Sequence, residues 1–151
     1  MKIEWSKYTL IDTNVLIYAM DPSDEFKHEI ANEIFESMYS GTELIALSTQ
    51  TLSETFNVFR MAKMAKVEFN FEDVFLILSD IVQTSEIPKL LVNPGTALLA
   101  ARICQKSGAG YYDCLIAATM KEHGITKIYT EDEAFRKIEG ITVVNPFEGK
   151  A

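Results

Sequence analysis

The chain has 151 residues, 48% hydrophobic and 24% charged, enough apolar material for one buried core and too much for a disordered segment. Its formal charge of −8, from 22 acidic against 14 basic residues, argues against a broad basic face for nonspecific DNA binding and leaves room for a small basic groove. No apolar run approaches the roughly 20 residues that span a bilayer, and MKIEWSKYTL lacks the apolar segment of a signal peptide, so a cytosolic protein with a single domain over residues 1–151 is expected.

Residues 8–11 read as a short apolar strand, and the pattern after Asp12 turns helical, with a longer helix expected over 23–38. Leu44 to Leu47 reads as a second buried strand, followed by a helix over 51–65 on which Phe56, Phe59 and Met61 recur at helical spacing. Asn70 is a candidate N-cap for a helix to Val82 that carries Val74, Ile77, Leu78 and Ile81 on one face. Residues 87–92, broken by Pro88, fit neither class, whereas Asn93-Pro94 opens a helix ending near Ser107-Gly108. An Ala-rich helix from Tyr112 closes after His123 at Gly124; a strand at 127–129, a short helix over 132–138 and a strand at 141–144 follow. Short, continuously apolar strands alternating with helices predict an α/β fold with a mainly parallel sheet covered on both faces.

Ligands of open parallel sheets bind outside the carboxyl ends of the strands, and the residues expected there are acids. Asp12 follows the first strand, Glu54 lies in the first turns after the second, Asp113 opens the Ala-rich helix, and Asp132 stands three residues beyond Tyr129. Each has a structural alternative. Thr51-x-x-Glu54 and Thr130-x-x-Glu133 match the capping box, acids near helix starts are stabilised by the macrodipole, and Asp12 fits an Asx-type turn through Thr13 and Asn14. Taken together, several carboxylates converging on one sheet edge cannot all stay ionised without a cation or raised pKa values. Oxygen-only ligation selects Mg²⁺ or Mn²⁺ over zinc, and a magnesium held by carboxylates suits phosphodiester hydrolysis. His28 and His123 read as surface residues, and Cys104 and Cys114 as reduced thiols without zinc or disulfide spacing.

In four ordered segments the sequence resembles the PIN domain family, and within it the VapC-like toxins of toxin–antitoxin pairs: LIDTNVLIYAMD from Leu10, STQTLSETFNVF from Ser48, YYDCLIAATMKEHG from Tyr111, and IYTEDEAFRKIEGITVVNPF from Ile128. The resemblance implies a three-layer α/β/α domain with a central parallel sheet and a Mg²⁺- or Mn²⁺-dependent ribonuclease site. It implies that Asp12, Glu54, Asp113 and Asp132 are the metal-binding and catalytic acids, with Asn14 and Thr130 supporting them. It leaves Glu131 and Glu133 undecided, implies a small antitoxin and a second copy of the chain as partners, and aligns no motif over 62–94.

RNA that is single-stranded or looped is the expected substrate, since its phosphates and unstacked bases are reachable by a shallow site. Arg60 and Lys63, beyond Glu54 on one helix, are candidate backbone contacts; Lys66, Arg102 and Lys106 share that potential, and solvated helix charge is an equal reading for each. Tyr111 and Tyr112 either stack on bases or pack half-buried at their helix start. Two other functions fit the acids: a PIN-like binding module without turnover, and a receiver-like or phosphatase-like Mg²⁺ phosphotransfer domain. The latter needs a lysine at a strand end, where this chain has Thr130-Glu131-Asp132.

Overall fold

The computed structural model describes residues 2–61 and 70–148. Five strands, β1 (Thr9–Ile11), β2 (Ile45–Ser48), β3 (Lys89–Leu90), β4 (Lys127–Tyr129) and β5 (Thr142–Val144), lie in the order β3-β2-β1-β4-β5, and each neighbouring pair is parallel. Six helices join them: α1 (Thr13–Met20), α2 (Glu25–Ser40), α3 (Thr49–Met61), α4 (Phe71–Gln83), α5 (Pro94–Ser107) and α6 (Tyr111–His123). The sheet is parallel throughout its described pairings, as the alternation of strands and helices predicts.

Side-chain alternation along β1 and β2, which are buried at every position, sends apolar residues to both faces of the sheet. Leu10, Ala46 and Ile128 enter one core with Ala100, Ile116 and Ala117 of α5 and α6, while Ile11, Ile45 and Leu47 enter another with Val15, Leu16, Ile34 and Ile81 of α1, α2 and α4. Helices therefore cover both faces of the sheet in three layers. Each fully buried Leu or Ile in these layers contributes roughly 1.5–3 kcal/mol of transfer free energy.

Local signals fix the helix ends. Asn93 accepts from Thr96 N–H while the Thr96 hydroxyl accepts from Asn93 N–H, with Pro94 at the first helical position, and Gly108 ends α5 in the left-handed region. Asn70 caps α4 by accepting from Asp73 N–H at 3.3 Å, as its position predicts. Three departures from the sequence reading have local causes. Residues 87–92 contain the short edge strand β3, whose partner β2 accommodates Pro88 because the proline offers its carbonyl to Leu47 N–H at 3.0 Å. The segment after Asp132 is a 3-10 helix, Glu133–Lys137, and another 3-10 turn, Trp5–Lys7, precedes β1. The helix expected over 51–65 begins at Thr49, because Ser48 Oγ accepts from Thr51 N–H at 3.1 Å; residues 62–65 of that expectation lie outside the described residues. Among the described residues no helix is long and apolar enough to cross a membrane.

Candidate active site

The chain order reverses at β1, which has β2 on one side and β4 on the other, and at such a switch point the loops after neighbouring strands part to leave a crevice. Asp12 sits there. Its backbone N–H still belongs to the sheet, donating to Tyr129 O at 3.0 Å, while its side chain caps α1. Oδ1 accepts from Thr13 N–H at 2.8 Å; Oδ2 accepts from the Thr130 hydroxyl at 2.7 Å and from Asn14 Nδ2 at 3.3 Å. The residue is 6% exposed. Donors of this kind favour the ionised form, yet burial outweighs them, and repulsion from Glu54 and Asp113 adds to it, pushing the Asp12 carboxyl up to about 7.

The other acids arrive from three further elements. Glu54 projects from α3, where Oε2 accepts from the Thr13 hydroxyl at 3.3 Å and Oε1 accepts from Gln50 Nε2, one helical turn earlier. Gln50 Nε2 also donates to Tyr112 O at 2.9 Å, which joins α3 to the first turn of α6 beside Asp113. Half-buried Asp113 is pushed up to about 6, first by burial and then by the charges of Asp132 and Glu54. Asp132 follows β4 and caps the 3-10 helix by accepting from Ala134 N–H at 2.9 Å, while its own N–H donates to the Thr130 hydroxyl at 3.0 Å. Asp12 thus feels Glu54 and Asp113, and Asp113 feels Glu54 and Asp132, so the four acids named from the sequence form one electrostatic cluster.

The capping-box alternatives do not describe these residues. Thr51 is buried in the first turn of α3 and Glu54 turns away from the start of its own helix toward Thr13; Thr130 points at Asp12 and Glu133 pairs with Arg136. Asp132 caps the 3-10 helix and Asp12 caps α1, each through its Oδ1, so for these two acids a structural role is real as well. Asn14 and Thr130 both bond to Asp12, and Asn14 Nδ2 also donates to Thr130 Oγ1 at 3.0 Å.

The undecided acids separate from the cluster. Glu131 accepts from Lys27 Nζ at 2.8 Å and from the Tyr18 hydroxyl at 2.7 Å, with Lys27 over the Tyr18 ring. Glu133 is tied to Arg136. Of the candidate RNA contacts, exposed Arg60 donates to Asn57 Oδ1 at 3.2 Å on its own helix, and Lys63 lies outside the described residues, as does Lys66. Tyr111 and Tyr112 are more open than the packing alternative predicts, at 38% and 68% exposure. His28 and His123 are half-buried rather than free on the surface, since each Nδ1 meets a backbone carbonyl, of Tyr18 and Thr119 respectively. Cys104 and Cys114 are free thiols.

Thr13, Gln50 and the Lys27–Tyr18 pair escaped the sequence reading. Gln50 and Glu54 are four residues apart and so share a helix face, a spacing that is visible in the sequence; the pairing of Lys27 with Glu131 across 104 residues is not.

Among the described residues no three of these side chains stand close enough to chelate one cation as they are. The donor set nevertheless suits a hard divalent ion: all four acids offer oxygen, two are destabilised as anions by burial and mutual repulsion, and the Gln50 Oε1 acceptor beside Glu54 is buried without a hydrogen-bond partner. A cation among the acids would relieve their desolvation and mutual repulsion.

A model of the PIN domain matches residues 9–141. Among solved structures, the chain is similar to VapC20 of Mycobacterium tuberculosis, described as a Sarcin-Ricin loop cleaving toxin (15% identity over 85% of this chain and 92% of that one, TM-score 0.67). It is also similar to a chain of a toxin–antitoxin complex from Klebsiella pneumoniae (20% identity, 91% and 97%, TM-score 0.61) and to one in FitAB bound to IR36 DNA (21%, 95% and 98%, TM-score 0.66). No curated protein matches the sequence.

Proposed function

The chain belongs to the PIN domain family, and from that membership and the carboxylate cluster we propose that it is a Mg²⁺- or Mn²⁺-dependent endoribonuclease, the toxin of a toxin–antitoxin pair. The observation that carries this reading is the convergence of Asp12, Glu54, Asp113 and Asp132 from four elements on the switch point of a parallel sheet, with Asp12 and Asp113 both pushed far above ordinary carboxylates. Acids so arranged for structure alone would lower stability for no return.

Asp12, Glu54, Asp113 and Asp132 would hold the ion. When bound, Mg²⁺ or Mn²⁺ supplies an activated water and neutralises charge on the phosphoryl group. The chain's own residues orient the donors. Thr130, Thr13 N–H and Asn14 fix both oxygens of Asp12; Thr13 and Gln50 fix both oxygens of Glu54. In hydrolysis a water oxygen bonds to phosphorus, the phosphorus–oxygen ester bond breaks, and the leaving oxygen takes a proton. Exposed Tyr112 at the rim offers a ring face to an unstacked base.

The proposed partners are RNA as substrate, a small antitoxin and a second copy of the chain, with the cytosol as the place of action. The antitoxin is suggested by the complexes in which similar chains are found. For the second copy, α4 leaves Phe71, Phe75, Leu76 and Val82 exposed, a surface that such a contact would cover.

The test is cleavage of a panel of structured and single-stranded RNAs with Mg²⁺, Mn²⁺ or EDTA, beside Asp12→Ala prepared identically. Metal-dependent cutting that the variant lacks is the expected result. Equal cutting by both proteins refutes the assignment, and Mn²⁺ binding without cutting of any RNA favours the module that binds without turnover.

A further inference from the structure

Arg102, Lys106, Lys121 and Lys137 come from three segments distant in sequence, yet they line one cavity of about 670 Å³ between α5, the end of α6 and the 137–140 turn. The gathering is unusual in a chain of net charge −8. Among the described residues the ion pairs are Lys7–Glu4, Lys27–Glu131 and Arg136–Glu133, and none of these four cations takes part. Glu139 is the single acid in the cavity wall, and the structure uses its backbone: Lys121 Nζ donates to Glu139 O at 2.6 Å. That bond ties the turn to α6. Gly140 next to it has φ 86°, a left-handed conformation that glycine adopts without strain, and this lets the turn close beside the lysine.

Behind the cations the floor is apolar, built from Leu99, Ile103 and Ile138. A rim of unpaired positive charge over an apolar floor matches a nucleotide unit, with phosphate at the rim and base or ribose below. Two of the lining segments belong to elements that also carry acids, Lys121 to the α6 of Asp113 and Lys137 to the 3-10 helix capped by Asp132. Ser107 lines the cavity and its hydroxyl is 3.8 Å from the thiol of Cys114, the residue after Asp113. On the other side Lys137 ends the 3-10 helix that Asp132 caps, a separation of about 10 Å at the 3-10 rise per residue.

We propose that this cavity is a second polynucleotide subsite, which holds phosphates of a single-stranded RNA flanking the bond presented to Asp12, Glu54, Asp113 and Asp132. The proposal rests on the ribonuclease reading for its choice of RNA. It explains how a protein with an acidic site and an acid excess retains a polyanion: the attraction is concentrated in one groove beside the repulsive cluster.

The experiment compares wild type with the triple variant Arg102→Ala, Lys106→Ala, Lys137→Ala; Lys121 is kept because it holds the turn, and the three replaced side chains are exposed. Binding of a fluorescent, unstructured RNA oligonucleotide is followed by anisotropy in EDTA across a salt series, cleavage is measured with Mn²⁺, and inorganic phosphate is titrated at constant ionic strength. The expected result is weaker binding by the variant, with a salt slope shallower by about 2, since each phosphate contact on a single strand contributes roughly 0.7. Unchanged affinity and slope in the variant overturn the subsite and leave the ribonuclease reading to stand or fall on cleavage. Groove-dependent binding by a wild type that cuts no RNA upholds the subsite and removes the nuclease. Absence of RNA binding by wild type, or inorganic phosphate bound as tightly as the oligonucleotide, also overturns it.

Discussion

The Thr130 hydroxyl donates to Asp12 Oδ2 at 2.7 Å across 118 residues of chain, joining the ends of β1 and β4 at the point where the sheet order reverses. Thr130 Oγ1 in turn accepts from Asn14 Nδ2 and from Asp132 N–H, so a single fully buried side chain holds two of the acids and one of their supports. Thr130→Val keeps the shape and removes all three bonds. Hydrogen bonds to charged groups contribute about 1.5–3 kcal/mol, and loss of an orienting partner typically lowers metal affinity or activity 10–100-fold. The variant is therefore expected to melt lower by several degrees and to cut RNA at least about tenfold more slowly. Thermal denaturation and single-turnover cleavage check this, and a variant that loses stability but no activity would show that Thr130 serves the fold alone.

The raised carboxyls make stability depend on pH in the direction opposite to the usual acid. With its folded value at about 7 against an ordinary 3.8, Asp12 binds a proton more readily in the native state. Between those values stability falls as pH rises, and above pH 7 the full cost remains, on the order of 4 kcal/mol for Asp12. Asp113, raised to about 6, acts with the same sign. Cation-free protein is expected to melt higher at pH 5 than at pH 8, and Asp12→Asn to flatten that difference. Mn²⁺ added at pH 8 should raise the melting temperature of wild type and leave Asp12→Asn unmoved, because an ion that binds only the native state stabilises it by mass action. Calorimetry at the two pH values, with and without Mn²⁺, measures both effects.

How far the sequence reveals this site depends on which forces act locally. The strand-and-helix alternation, the Asn93-Pro94 start and the Asn70 cap are set within a few residues, and each is found where the pattern places it. The acids were legible because an Asp inside TLIDTNVLIY conflicts with its apolar flanks until a partner is supplied. What was not legible crosses the fold. Lys27 meets Glu131, Gln50 meets the carbonyl of Tyr112, and Arg102 shares a cavity with Lys137, and no periodicity along the chain encodes such pairs. The start of α3 is a local signal of a different kind: Ser48 Oγ accepts from Thr51 N–H three residues on, so the helix opens two residues before the Thr51 start that the pattern suggests.

Gln50 makes the connection between α3 and α6 testable. Its amide nitrogen donates to both Glu54 and the Tyr112 carbonyl, while its oxygen is buried without a partner. Gln50→Leu removes the bond that steers Glu54 and also the unsatisfied oxygen, whose burial costs about 1–3 kcal/mol. Stability is therefore expected to stay level or to rise slightly as Mn²⁺ affinity falls. Equilibrium melting and Mn²⁺ titration separate the two, and an unchanged affinity would mean that Glu54 needs no guidance from α3.

Glu54 and Glu131 offer the sharpest comparison among the acids, since both lie at the carboxyl edge of the sheet. The Glu131 charge is already answered by Lys27 at 2.8 Å and the Tyr18 hydroxyl at 2.7 Å, whereas Glu54 faces other acids and has neutral donors only. An acid neutralised by a lysine has little to offer a cation. Glu131→Gln keeps one acceptor for Lys27 and Tyr18, and the pair is partly exposed, so the loss in stability is expected to stay within about 1 kcal/mol. Cleavage should remain within roughly twofold of wild type, while Glu54→Gln should lower it by more than about 100-fold. Parallel rates for the two variants decide the matter, and a large loss from Glu131→Gln would mean that Lys27 releases its partner to the site when RNA binds.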